Sequence, residues 1–248
     1  MKQIFIVVCA FFLLISCESS QRKIPKVEAT SDGYFDGMLY YHVSSNLNES
    51  KKVIVVNAHK KCEELKIPSQ IKIDNNVFVV TKIDNGAFKG CSRLCKIIIP
   101  SSIEAIGNEA FQGCTSLRSV IIPNGVYYIG HSAFADCISL RKMILPKSVI
   151  EIGVSTFKGC SSLETIVIPP NAKWYKCGFE DCSSIKHIYC YYKNSISLID
   201  NNTFSSNVYE TAILHVPMGY KQNYLDTPSW WRFKNISEFD SSMELSFD

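Results

Sequence analysis

The chain lacks the short motifs that announce a chemical site. It has no Gly-rich phosphate loop, no H-E-x-x-H and no G-x-S-x-G, so it offers no phosphate cradle, zinc-hydrolase helix or nucleophile elbow. Its five histidines, at 42, 59, 131, 187 and 215, are scattered; Cys91/Cys95 and Cys177/Cys182 have short spacings, but no pair of His or Cys shares a neighbourhood as zinc ligation requires. Excess charge of one sign is also missing. With 26 basic against 23 acidic residues there is no basic stripe of the kind that marks nucleic-acid binding. The apolar run at residues 4–15 has twelve residues, short of the roughly 20 that a membrane-spanning helix needs. These absences predict a protein with no catalytic residues, no metal and no cofactor.

What is present is repetition. VTKIDNGAFKGCSRLCKIIIPSS, IEAIGNEAFQGCTSLRSVIIPNG, VYYIGHSAFADCISLRKMILPKS and VIEIGVSTFKGCSSLETIVIPPN follow one another as units of 23 residues. Phe recurs at 88, 111, 134 and 157, Cys at 91, 114, 137 and 160, and Pro at 100, 123, 146 and 169. A fixed period in this range with L-x-x-I-x-I spacing is the mark of a leucine-rich repeat solenoid. A fifth unit holds Phe179 and Cys182 one residue early, and a worn sixth runs through Ile199 and Phe204 to Pro217. The fold predicted is a β-rich (α+β) solenoid of about six stacked units.

Within a unit, strand alternation sends Val120 and Ile122 inward with Leu117, and leaves Ser119 and Ile121 outward. Pro123, lacking an N–H, ends the strand. The A-F-x-G-C segment reads as a compact helical turn whose Phe fills the interior. Gly107, Gly130 and Gly153, matched by Asp84 and Asp200, suggest a left-handed or tight turn.

Stacking turns each strand position into a ladder with rungs about 4.8 Å apart. One outward ladder reads Ile98, Ile121, Ile144, Val167, Tyr189, His215, and its neighbour reads Lys96, Ser119, Lys142, Thr165, His187, Ile213. The apolar ladder has two readings. β-Branched residues support a pleated surface wherever they stand, and a contiguous exposed apolar stripe also marks an interaction site. Ile98, Ile121, Ile144, Val167 and Tyr189, with Lys96, Lys142 and His187, are therefore the candidate ligand-binding residues. Arg118, Arg141 and Lys186 add to a basic rim that suits an acidic or sulfated partner.

The ends differ from the middle. A charged head and the short apolar run read as a signal peptide over residues 1–16. Leu14-Ile15-Ser16-Cys17 resembles the bacterial lipobox, which makes Cys17 the lipidation candidate; an ordinary signal peptide is the other reading. Residues 17–33 then form the lipidated Cys and a flexible tether. Residues 34–80 form an N-terminal β-hairpin cap with a first partial repeat, in which GYFDGMLYYHV and KKVIVVNA are the hairpin arms and IDNNVFVV carries an inserted Asn-rich turn. The array covers 81–217. Residues 218–248 form a C-terminal aromatic cap and tail, in which Trp230 and Trp231 are expected to be buried, a sugar-stacking platform being the alternative.

Eleven cysteines in an exported chain suggest disulfides, but their phase argues otherwise. Cys91, Cys114, Cys137, Cys160 and Cys182 share one inward position, Cys62 and Cys190 fill apolar slots, and parallel Cβ vectors give poor bridge geometry. Buried free thiols are the expectation, with Cys95 and Cys177 on exposed positions.

IEAIGNEAFQGCTSLRSVIIPNG and VYYIGHSAFADCISLRKMILPKS closely resemble the BspA-like leucine-rich repeat family, from Leu65 to about Pro217. HVPMGYKQNYLDTPSWWRFKNI resembles the cap that follows such arrays. The resemblance implies a surface or secreted protein, often lipid-anchored, of an anaerobic bacterium. It also implies a role in adhesion, host matrix being among the candidate partners, but it transfers no binding residues. The expectation is a non-enzymatic lipoprotein of the bacterial cell envelope, at the outer membrane or cell surface, that binds a protein or glycan. A structural or accessory subunit of an envelope complex, associating through its caps, is the alternative. The oligomeric state is not legible in the sequence.

Overall fold

Each repeat contributes two short strands, where the sequence pattern points to one. The structure is a computed structural model that describes residues 24–31, 33–43, 52–58, 62–174, 178–193 and 203–242. Cys17, Cys177, Ile199 and Asp200 lie outside the described residues.

The chain enters through an antiparallel meander, β1 (Glu28–Thr30), β2 (Gly33–Phe35), β3 (Leu39–Val43) and β4 (Lys52–Ala58). After β5 (Glu64–Lys66), the strands β6 (Gln70–Ile73) and β7 (Asn76–Ile83) form a hairpin turning at Asp74 and Asn75, where the sequence places its Asn-rich insertion. β7 lies parallel on β4, and from there the pairing within the repeat array is parallel.

The repeats alternate between two faces. β9 (Ala105–Ile106), β11 (Tyr128–Ile129), β13 (Glu151–Ile152) and β15 (Lys173–Trp174) extend, beyond β7, the sheet that the meander begins. On the other face, β5, β8 (Lys96–Ile98) and β10 (Ser119–Val120) form a three-stranded sheet. β12 (Lys142–Ile144), β14 (Thr165–Ile168), β16 (His187–Cys190), β17 (Ile213–Pro217) and β18 (Asn235–Phe239) continue that face as a five-stranded sheet. Helix α1 (Ser206–Thr211) precedes β17, while α2 (Lys221–Leu225) and a 3₁₀ turn at Trp230–Arg232 connect β17 to β18. The strand face thus has eight turns among the described residues, more than the six predicted units: β5 precedes the array, and β18 adds a turn beyond Pro217, where the predicted array ends.

Between the sheets runs a column of rings. Phe88, Phe111, Phe134, Phe157, Phe179 and Phe204 are all buried and stack with centroids 5.0 to 5.7 Å apart and planes within 11°. That spacing is close to the rise per turn of a parallel sheet, so the backbone repeat sets it. The A-F-x-G-C segment is a hydrogen-bonded turn with no regular helix. Its alternate N–H groups bond upward to the next repeat, as Phe88 N–H does to Ala110 O at 2.7 Å and Phe111 N–H to Ala133 O at 2.7 Å. The corners are therefore paired like strands, which satisfies backbone groups that burial would otherwise penalise.

The repeat glycines act differently from the expectation. Gly107 and Gly130 are not left-handed; a Cβ at Gly107 would lie 2.6 Å from the Asn85 backbone nitrogen, and one at Gly130 2.5 Å from that of Asn108. They are required by close approach of successive turns. The left-handed residues come two positions later, at Gly86, Glu109, Ser132 and Ser155 (φ 52 to 65°).

The thiol ladder is buried as expected. Cys114, Cys137, Cys160 and Cys182 each donate to the carbonyl of the preceding repeat's Phe, with Sγ···O distances of 2.9 to 3.2 Å. All eight described cysteines are free. Cys62 departs from the expectation: it is half-buried, because it lies just ahead of β5, the first strand of its face.

Candidate functional site

The outward ladders fall in the predicted register. Ser119 pairs with Lys96; Lys142, Thr165, His187, Ile213 and Asn235 succeed one another; and Ile144, Val167, Tyr189, His215 and Ser237 form the parallel row. Alternation within each strand fixes which side chains leave the core, so one register places both rows on one face.

The apolar row is uneven. Ile98 is 47% exposed and Ile121 82% exposed, while Ile144 is half-buried. Val167 is 6% exposed and so leaves the candidate set. Its register neighbours are Ile144 and Tyr189, both larger, and at sheet spacing they shield the shorter valine. Ile121 sits where the face divides between β10 and β12. There the Arg141 N–H reaches Arg118 O at 3.3 Å, which brings two exposed guanidinium-bearing residues onto adjacent turns.

Beyond Val167 the row changes character. Tyr189 stacks on His215 at 4.2 Å with planes 7° apart, and Phe239 meets Tyr189 and Tyr191 edge-on at 5.7 and 5.0 Å. His187 Nδ1 lies 3.0 Å from His215 Nε2. Burial, and then the neighbouring His187, holds the His215 ring below its ordinary pKa. The structure therefore joins Tyr189 and His187 in one aromatic group and sets them apart from the isoleucines. Phe239 was missed by sequence reasoning, although the 22-residue step from Leu214 to Ile236 marks a further turn.

The basic rim is partly neutralised. Lys186 Nζ pairs with Glu164 at 3.1 Å, whereas Lys96, Arg118 and Arg141 form no ion pair among the described residues. Glu64 stands opposite Lys96 in register and Glu63 lines one cleft with Arg118, so the positive charge beside Ile98 and Ile121 is partly offset as well.

Elsewhere the structure shows little reactive chemistry. Burial pushes the Cys137 and Cys190 thiols up to about 12, far from the thiolate that nucleophilic attack requires. Among the described residues no three His, Cys, Asp or Glu side chains converge as metal ligands, and no helix is long and apolar enough to cross a membrane. Trp230 is buried against Tyr224 and Phe233. Trp231 is 60% exposed, against expectation, because successive residues of a 3₁₀ turn point 120° apart and Trp230 takes the inward direction.

Comparison with known proteins agrees with this architecture. Residues 81–211 match the BspA type leucine rich repeat region in six copies. A leucine-rich repeat protein of Bacteroides ovatus superposes with a TM-score of 0.61 at 24% identity, covering 83% of this chain and 53% of that one. This chain therefore spans about half the length of that protein. A leucine-rich repeat protein of T. pallidum gives a TM-score of 0.56 at 24% identity, covering 75% of this chain and 91% of that one. No curated protein matches the chain in sequence. With six repeats in register over more than half its length, the chain belongs to the BspA-type leucine-rich repeat family.

Proposed function

We propose that this chain is a non-catalytic protein of the bacterial cell envelope, held to a membrane by lipid on Cys17, that binds a macromolecule through its outward strand face. The observation that carries this reading is the exposure of Ile121 and Ile98 beside Arg118 and Arg141, which form no ion pair among the described residues, and beside Lys96. An aliphatic stripe with a cationic border suits a protein surface that offers apolar side chains flanked by carboxylates. A glycan is the weaker fit here, since it favours flat aromatic faces over branched aliphatic ones. Membership of the family supports surface display and an interaction role, host matrix being one class of target.

The test is a binding screen of the purified protein against immobilised matrix proteins and glycans, run beside an Ile98→Asp/Ile121→Asp variant. Both side chains point outward, so the variant should keep its thermal unfolding temperature and lose the partner. A partner retained by the double variant would refute the face assignment.

A second reading has its own observation. Met218, Trp231 and Leu225 are exposed at the C-terminal end, which suits an accessory subunit docking end-on in an envelope complex. Co-purification under mild detergent that survives the Ile98/Ile121 substitutions and is lost with Trp231→Ala would favour it.

A further inference from the structure

We propose that the C-terminal end carries a second binding site, for the pyranose ring of a glycan, centred on Trp231. The site does not depend on the strand-face reading, and none of its residues belongs to that face.

The argument starts with the two tryptophans. Ser229 holds a left-handed backbone angle (φ 73°) and leads into the 3₁₀ turn that buries Trp230 and turns Trp231 outward. The largest side chain available is thereby displayed with most of its surface in water. It borders a cleft of about 410 Å³, within the size range of small-ligand sites.

The cleft is fixed in shape. Its two walls, α1 and residues 231–234, are joined by Lys234 N–H to Tyr209 O at 2.9 Å and by Asn235 Nδ2 to Glu210 O at 3.0 Å. The Arg232 guanidinium lies 4.0 Å from the centre of the Tyr209 ring. Asn207 Nδ2 donates to Ser183 O at 2.9 Å, which orients its amide and defines Oδ1 as the end left to accept. Such pre-ordering lowers the entropy lost when a ligand binds.

The lining defines the ligand class. An indole face matches the C–H face of a pyranose. Around it stand acceptors in Glu210 and Asn207, and donors in Lys234, Arg232 and Ser206. That mixture suits a ring bearing several hydroxyls, each able both to donate and to accept. One carboxylate against two cations leaves a net charge of +1, with the Arg232 guanidinium held over the Tyr209 ring; the exposed indole face, which a phosphate would leave unused, favours a sugar.

The experiment is an NMR titration of the ¹⁵N-labelled protein with methyl glycosides of glucose, galactose, mannose and N-acetylglucosamine, following the indole N–H signals. The result expected is a saturable shift of the Trp231 signal, identified by its loss in Trp231→Ala. Affinity should fall at least tenfold in Trp231→Ala, fall several-fold in Glu210→Gln and be largely kept in Trp231→Tyr, which preserves an aromatic face. The Ile98→Asp/Ile121→Asp variant should titrate like the parent, which separates this site from the strand face. Absence of a saturable shift with all four sugars would overturn the proposal, as would equal affinity in Trp231→Ala or a shift confined to Trp174 or Trp230.

Discussion

His131 Nδ1 accepts the backbone N–H of Val154 at 2.8 Å. Asn108 Oδ1 accepts the N–H of His131 in the same way at 2.9 Å, and Asn85 Oδ1 that of Asn108 at 2.7 Å. One side-chain position per repeat thus ties each turn to the next, and a histidine substitutes for asparagine because its Nδ1 occupies the place of an amide oxygen. The ring proton then lies on Nε2. Since the bond is near the surface and water can replace it in part, His131→Ala should cost about 1 kcal/mol. His131→Asn should stay within about 0.5 kcal/mol of the parent. Urea denaturation of the two variants checks both; equal losses would deny the bond its role.

Gly130→Ala should reverse the usual sign of a glycine-to-alanine change. Where backbone angles permit, replacing Gly by Ala stabilises by about 0.4–1 kcal/mol through the unfolded chain. Here the added Cβ would meet the Asn108 backbone, so the substitution should destabilise, and by more than that amount. A raised melting temperature would show that the turns are less tightly stacked than described.

The ring column should dominate stability. Phe134 stacks between Phe111 and Phe157, and truncating a buried Phe to Ala costs about 3–5 kcal/mol. Phe134→Ala should therefore sharply lower the melting temperature, while Ile121→Asp, on the exposed face, should change stability by no more than about 0.5 kcal/mol.

Stability should fall as pH drops through the range below 6.5, the ordinary value for His215. Its pKa is lowered in the folded state, so the unfolded chain binds the proton more readily and acid favours unfolding. His215→Gln should flatten this part of the profile. His187→Ala should flatten it only partly, because burial contributes more than His187 to the shift. A profile unchanged in His215→Gln would assign the slope to another group.

Thiol reagents should separate the cysteines. Cys91, Cys114, Cys137, Cys160, Cys182 and Cys190 are buried, whereas Cys62 and Cys95 are half-buried. Alkylation of the native protein followed by peptide mass mapping should leave the buried six unmodified until denaturant is added. Labelling of the ladder under native conditions would contradict the packing.

Much of this was legible because the period is strict. Phe88 to Phe157 and Cys91 to Cys160 recur in phase, so one unit predicts the interior of the next, and the Ile98 row follows from alternation. The second sheet was not legible, since two-residue strands such as Ala105–Ile106 are too short to show a period. Gly107 misleads because glycine ordinarily signals a left-handed turn, while the left-handed positions are held by Glu109, Ser132 and Ser155, which carry no such signal. The burial of Val167 and the exposure of Trp231 depend on the size of neighbours and on a single turn's rotation. Neither is encoded in residue type. The outward rows were thus legible from alternation, but their exposure was set by packing: the proposed patch narrows to Ile98, Ile121 and the edge of Ile144 beside Lys96, Arg118 and Arg141.

The central claim is that this narrowed patch is where a partner docks. The most direct measurement compares the parent protein, the Ile98→Asp/Ile121→Asp variant and the Trp231→Ala variant for binding to the same immobilised matrix proteins. The account predicts saturable binding by the parent and by Trp231→Ala, and its loss in the isoleucine variant at unchanged melting temperature. Equal binding by all three would contradict it.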